Sequence, residues 1–258
     1  MEGNVTIEHR GDCAVIRIAR EAKRNALTIA IMRELCRVIV EAETDGAVAV
    51  VLSGGNTVFS AGADLDEVGN GTRDLEIDEA IGITVDTIRR LTVPVVAAIE
   101  GPCFGAAVEI AMACDLQVVG KGASFSIPAT RLGLLYRPHA VATYVGMLGR
   151  STVTRLLVFG ERLSAEEALS SGLATHLVEQ GHALSKSISL GGELSRMTME
   201  AVRATKSLIR ELSEASVDLA HWDEVRHVLL ESDARAQAIE HVRSGLGASK
   251  DVSDVSDE

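Results

Sequence analysis

The stretch Val93-Pro94-Val95-Val96-Ala97-Ala98-Ile99-Glu100-Gly101-Pro102-Cys103-Phe104-Gly105-Ala106-Ala107-Val108-Glu109-Ile110-Ala111-Met112-Ala113-Cys114 decides how this chain folds. It is long and apolar enough to raise the question of a membrane span. Glu100 and Glu109 interrupt it, however, Pro94, Gly101, Pro102 and Gly105 divide it, and no basic cluster flanks either end. The stretch therefore predicts a buried strand over Val95 to Ile99, a turn of small residues, and a helix over Gly105 to Cys114.

The same alternation appears on both sides. Val5 to Ile18 reads as a hairpin around Arg10-Gly11-Asp12. Met32, Leu35, Ile39 and Ala42 repeat at helical spacing from about Thr28 to Glu43, with Asp45-Gly46 as the stop. Ala47 to Leu52 is a continuous apolar run, as expected of a central strand covered on both faces. A polar loop from about Asp66 to Asp74 and a helix around Ile77 to Leu91 lead into the stretch quoted above, and strands at Leu116 to Val119 and Ser124 to Ile127 follow it. Beyond Pro138 the text is mostly helical. Ser164-Ala165-Glu166-Glu167 resembles a capping box, and helical patterns run over Glu193 to Leu212 and Val217 to Glu231. The fold class is α/β first and α last, with a polar, acidic end.

Composition narrows the function. A chain of 258 residues, 47% hydrophobic, can fill a large core. Four Phe, two Tyr and one Trp supply few stacking rings, and 37 acidic against 25 basic residues give a formal charge of −12. Nucleic acid and anionic membranes are disfavoured as partners. Glu2, Glu8, Arg10 and Asp12 leave no early apolar run for a signal peptide. Cys13, Cys36, Cys103 and Cys114 form no CxxC pair, which fits reduced cysteines and a cytoplasmic location. The seven histidines lack metal-ligand spacing, so no metal site is expected.

The chain has no GxSxG elbow, no GxxxxGK loop, no HExxH pair and no GxGxxG after a strand. Two small-residue turns remain, Phe59-Ser60-Ala61-Gly62-Ala63-Asp64 and Gly101-Pro102-Cys103-Phe104-Gly105-Ala106-Ala107. Each can present free backbone amides, the second at the positive end of a helix. Two such donors aimed at one carbonyl oxygen form an oxyanion hole, each worth about 3 to 4 kcal/mol in the transition state. Glu109 lies one helical turn past Ala106. It can hold a proton beside a bound carbonyl, or simply favour the helix dipole and point to solvent, and spacing alone leaves both open.

These segments, with Leu65, Cys114-Asp115, Lys23-Arg24-Asn25-Ala26-Leu27 and Gly160-Glu161-Arg162-Leu163-Ser164-Ala165-Glu166-Glu167-Ala168, resemble the crotonase (enoyl-CoA hydratase/isomerase) superfamily over about Val5 to Val178. The resemblance implies a crotonase-like ββα superhelix over residues 1–190 and a C-terminal helical trimerisation region over 191–246, while composition alone makes 247–258 a disordered acidic tail, too polar to order itself. It implies a homotrimer or a dimer of trimers, and an acyl-CoA thioester as substrate, with coenzyme A part of that substrate and no further cofactor. Carried over by position, the amides of Ala63 and Ala106 bind the thioester oxygen, and Glu109 is the acid/base group. Ala106 stands where glycine is usual, which a backbone donor tolerates if its φ suits alanine. Lys23 and Arg24 are candidates for the coenzyme phosphates, with a solvated charge pair as the alternative. Ala26, Ala61, Leu65, Phe104 and Pro128 fall along the implied acyl-CoA pocket. Asp64 is assigned there too, although capping the next helix is the favoured role.

After Phe125-Ser126-Ile127-Pro128, where hydratases place a second glutamate, this chain has Ala129. Hydration then lacks one carboxylate, and isomerisation through an enolate with Glu109 alone is chemically sufficient. Tyr136, after Leu132-Gly133-Leu134-Leu135, and Glu100-Gly101 resemble the methylmalonyl-CoA decarboxylase branch, where the tyrosine orients a substrate carboxylate. Ala63 departs from the histidine preferred there. The plain reading of Tyr136 is a wall residue, and of Arg137 and His139 solvated loop residues, with contact to a substrate carboxylate as the sharper one. A decarboxylase of a malonyl-type thioester and a quiet acyl-CoA-binding protein are the alternative functions.

Overall fold

The computed structural model describes residues 4–69, 71–213 and 217–250. The chain divides into two compact units between Gly192 and Glu193. In the first, β1 (Asn4–Arg10) and β2 (Cys13–Ala19) form the expected hairpin, closed by Gly11 at a φ of 60°. Then come α1 (Ile29–Thr44), β3 (Ala49–Ser53), α2 (Thr72–Arg90), β4 (Val95–Ile99), β5 (Pro102–Phe104), α3 (Ala106–Ala113), β6 (Leu116–Gly120) and β7 (Ser124–Ser126). α4 (Pro138–Val153), β8 (Leu163–Ser164), α5 (Ala165–Ser171), β9 (His176–Val178) and α6 (Ala183–Glu193) complete it.

The main sheet runs β1-β2-β3-β4-β6-β9, parallel except for the hairpin. Every residue of β3 and β4 is buried, as the unbroken apolar runs predict for strands covered on both faces. Register explains one face of the core: Val15 pairs with Val51, Val51 with Val96, and Ala98 with Val118, and Ala183, Leu184 and Ile188 of α6 pack onto them. Burying such a Val or Leu contributes about 1.5 to 3 kcal/mol, whereas β1, mostly exposed at the sheet edge, contributes little. The Thr28 side chain accepts from the Ile31 amide and starts α1, and Ser164 and Glu167 form the reciprocal capping box that starts α5.

A second, three-stranded sheet, β5-β7-β8, departs from the sequence reading. Pro102–Phe104 reads as turn, yet it pairs in parallel with β7. β5, β8 and β9 are too short to carry usable alternation and form only where a partner edge meets them, whereas β7, equally short, lies within the strand expected over Ser124 to Ile127. α2 also begins earlier than expected, at Thr72, because the Asp74 carboxylate accepts from the Gly69 amide at 2.8 Å and stabilises the first turn.

The second unit contains α7 (Met199–Leu212), α8 (Leu219–Leu230) and α9 (Asp233–Lys250). Asp218 caps α8 by accepting from the Ala220 and His221 amides, and the Trp222 indole donates to Glu211 at 2.7 Å. Leu208, Leu219, Trp222 and Ile239 help to line an open apolar groove of about 890 Å³. α9 continues to Lys250, so the helix extends past residue 246, where the acidic tail is expected to start. The rest of that tail, 251–258, lies outside the described residues. Among the described residues no helix is long and apolar enough to cross a membrane.

Candidate active site

The first small-residue turn is locked by Asn25. This fully buried residue, at a φ of 55°, donates through Nδ2 to Gly54 O at 2.6 Å and Val58 O at 3.1 Å, while Oδ1 accepts from Arg20 N at 2.9 Å. Ser60 Oγ donates to Asn25 O at 2.7 Å and accepts from Gly62 N at 3.1 Å. Leu27 N then donates to Gly62 O at 2.8 Å, and Asp64 N donates to Leu27 O at 2.9 Å. In this parallel bridge Leu27 bonds to both residues flanking Ala63, so the Ala63 amide faces away from Leu27.

The second turn lies against the first. Phe59 N donates to Pro102 O at 3.0 Å and Phe104 N donates to Ser60 O at 3.0 Å, joining β5 to the Phe59–Ser60 segment. Gly62, at a φ of 92°, makes the approach possible. A Cβ there would lie 2.5 Å from Phe104 O and 3.3 Å from Ala106 N. Gly105, at a φ of 54°, turns the chain into α3, and Ala106 supplies the first helical amide. Ala106 has no positive φ, so its methyl introduces no strain. Among the described residues, nothing in the protein accepts a hydrogen bond from the amides of Ala63 or Ala106. The two turns thus bring two uncommitted donors into one corner.

Glu109, on the next turn of α3, is 4% exposed. The solvated reading does not hold. Its Oε1 accepts from Arg137 Nη2 in an ion pair whose side chains are 5% and 27% exposed. Arg137 stands just before Pro138, which opens α4, and the pairing brings it into the site instead of leaving it solvated on the loop. Room for the guanidinium comes from Gly82 of α2, where a Cβ would lie 2.6 Å from Arg137 Nη1. Glu109 and Arg137 share a cavity of about 100 Å³ with Val85 and Arg89 of α2 and with His139 and Tyr144 of α4.

The remaining candidates divide. Ala129 is buried at the start of a short 3₁₀ turn behind Pro128, and brings no acid to the site. Tyr136 packs its ring 6.2 Å from that of Tyr144, and burial pushes its hydroxyl pKa well up. Its hydroxyl has that of Tyr144 beside it and no other polar partner among the described residues. Asp78 of α2 faces Arg137, and burial raises its carboxyl above the ordinary range despite that positive neighbour. Phe104 lies beneath the Arg162 guanidinium, 4.9 Å from its ring centre. Ala26 is buried, Ala61 donates from its amide to Arg24 O at 3.0 Å, and Leu65 is exposed.

Lys23 is already engaged by an exposed Asp66 at 2.8 Å, a hydrogen bond that raises the ammonium pKa; Arg24 takes the left-handed conformation at the end of the same turn. Asp64 does not cap a helix, because α2 begins at Thr72. It forms a buried ion pair with Arg20 and accepts from Asp66 N at 3.0 Å. Burial opposes its ionisation, but the bonds from Arg20 and the Asp66 amide outweigh burial and hold its carboxyl below the usual range. Glu100 turns away from the site, its Oε1 accepting from Gly181 N at 2.9 Å and Ala183 N at 3.0 Å at the start of α6. Sequence reasoning missed Gly82, Arg89 and the Arg20–Asp64 pair. Arg89 had a signal, since it shares one face of α2 with Gly82 and Val85 at helical spacing.

Comparison with known proteins agrees with this architecture. The enoyl-CoA hydratase/isomerase family profile matches residues 8–244. A short-chain-enoyl-CoA hydratase from Clostridium acetobutylicum is 30% identical over 225 residues, covering 84% of this chain and 85% of that protein. An enoyl-CoA hydratase/isomerase family protein from Hyphomonas neptunium superposes with a TM-score of 0.87 at 27% identity, over 93% and 95% of the two chains. An enoyl-CoA hydratase from Bacillus anthracis gives 0.85 at 26% identity, over 94% and 96%. The α/β unit with its added helical region is thus a crotonase fold, and the chain belongs to the enoyl-CoA hydratase/isomerase family.

Proposed function

We propose that this protein moves a proton along an acyl-CoA thioester through its enolate, with Glu109 as the single acid/base group. The thioester oxygen accepts from the amides of Ala63 and Ala106. The observation that carries this reading is that both amides are uncommitted on turns locked by backbone pairing, with a buried carboxylate one helical turn away. Glu109 takes the α-proton from a 3-enoyl thioester, the negative charge passes to the oxygen between the two donors, and the same proton returns at the γ-carbon. Preorganised donors require no rearrangement as that charge develops.

Ala129 favours isomerisation over hydration. Adding water requires an activated water and a proton delivered at neighbouring carbons, whereas isomerisation needs one carboxylate used twice. Coenzyme A enters as part of the substrate and no other cofactor is invoked. The same reading makes the protein a cytoplasmic homotrimer or dimer of trimers, supported by the apolar groove of the helical unit.

Incubation with a short 2-enoyl-CoA, a 3-enoyl-CoA and methylmalonyl-CoA, followed by product mass, tests the reading. Conversion of the 3-enoyl thioester, with loss of on the order of a hundredfold or more in Glu109→Gln, is the expected result. Equal turnover by that variant overturns the role of Glu109. Decarboxylation of a malonyl-type thioester is the second reading, favoured by Arg137, which pairs with Glu109, and by Tyr136 next to it in the chain and packed on Tyr144. It needs the enolate but no water, and methylmalonyl-CoA would be consumed instead. Thermal stabilisation by acyl-CoA without exchange or turnover would identify a binding protein.

A further inference from the structure

We infer that the acyl group received here carries a carboxylate of its own, lodged between α2 and α4 against Arg89, Arg137 and the Tyr144 hydroxyl. This rests on the acyl-CoA reading above and narrows it to a substrate class. The cavity of about 100 Å³ beside Glu109 admits only a few heavy atoms, and its lining is unusually charged for a space meant for an alkyl chain.

Three observations point to an anion. Arg89 is half-buried, lines the cavity, and among the described residues makes no hydrogen bond or ion pair, so its five N–H donors are uncommitted. The Tyr144 hydroxyl is shielded from solvent and has the Tyr136 hydroxyl beside it, and a phenol oxygen that accepts from Tyr136 keeps its own O–H to donate. Burial pushes its ionisation up, and the Tyr136 hydroxyl and then the fields of Arg137 and Arg89 oppose that rise, which puts both guanidinium groups within electrical reach of the phenol oxygen. Arg137 spends Nη2 on Glu109, and its Nε is buried without a partner.

The local acids do not cancel this set. Glu109 and Asp78 both face Arg137, and Asp86 is exposed on α2 without an ion pair to Arg89, leaving Arg89 as the uncompensated charge. An alkyl chain would strip water from that guanidinium and return nothing, whereas a carboxylate accepts two parallel N–H bonds from it and a third from Tyr144. The thioester lies at Ala63 and Ala106 under the same reading, so the anion belongs to the short acyl end.

Calorimetric titration of the full chain with two matched pairs, butyryl-CoA against succinyl-CoA and valeryl-CoA against glutaryl-CoA, tests this. The carboxylated member of at least one pair is expected to bind about tenfold tighter or more. Arg89→Met should bring the ratio to within about threefold of unity, with Arg89→Lys between. Equal affinities within both pairs overturn the inference, as does a preference that survives Arg89→Met, and neither result touches the acyl-CoA reading. Parallel weakening of both members in Arg89→Met also overturns it, by assigning Arg89 to the shared coenzyme. Failure of all four thioesters to bind instead overturns the acyl-CoA reading itself. The wild-type comparison needs no variant, so it decides even if the substitutions impair folding.

Discussion

Arg137, just before α4, and Glu109, in the first turn of α3, form a largely buried ion pair across the site. Removing one partner leaves a buried charge alone, which costs more than removing both. Arg137→Met is therefore expected to lower unfolding free energy by about 3 kcal/mol, and the double variant Arg137→Met/Glu109→Gln should recover more than half of that loss. Urea denaturation of wild type, the two single variants and the double variant closes the cycle. Simple additivity would mean the pair is not coupled in solution.

Gly62 holds the oxyanion corner together. Its φ of 92° and the 2.5 Å approach of Phe104 O to a would-be Cβ leave alanine no comfortable place. Gly62→Ala should cost about 1 to 3 kcal/mol of stability and shift the Ala106 amide. A fall in kcat on the order of a hundredfold, with smaller change in acyl-CoA affinity, is expected from losing one aligned donor. Steady-state kinetics beside a melting curve separates the two effects, and unchanged kcat in the folded variant would remove Ala106 from the mechanism.

Ala129 offers a gain-of-function test. A glutamate there restores the missing acid at a position that is 6% exposed. Ala129→Glu is expected to raise hydration of a 2-enoyl-CoA by about tenfold or more, because a second carboxylate contributes acid/base catalysis. Overpacking should cost about 1 to 3 kcal/mol. Hydration that stays at the parental rate in folded protein would show that Ala129 does not reach the reacting carbons.

Asp64 makes acid stability informative. Its folded carboxyl is held below the ordinary range, mainly by Arg20 and the Asp66 amide acting against burial. The unfolded chain therefore binds that proton more readily. The stabilisation is complete above the ordinary aspartate value of about 3.9 and disappears as pH falls through the lower folded value. Between about pH 5 and pH 3, wild type should lose stability more steeply than Asp64→Asn. Parallel pH profiles would show that the Arg20 pair contributes nothing to folding.

Much of the frame was legible because it is written in local periodicity. The strand Val95–Ile99 has the boundaries its apolar run predicts, and α1 begins one residue after its expected start, beside the Thr28 cap. Helices and buried strands of five residues or more repeat their apolar positions often enough to be read. Of the four strands of two or three residues, only β7 falls where a strand was expected, and Pro102–Phe104 is a strand only because β7 and the Phe59–Ser60 segment lie beside it.

The amino-acid order by itself determined the two small-residue turns and the single acid that follows the second, since glycine, alanine and proline act on the backbone where they stand. Only the tertiary structure decided that Glu109 is buried and not solvated, that Arg137 pairs with it across 28 intervening steps of chain, and that Asp64 meets Arg20 instead of capping a helix. Periodicity reports which face of an element is buried, but a charge's partner depends on which elements the core brings together. That is settled by long-range packing, to which no local spacing gives access.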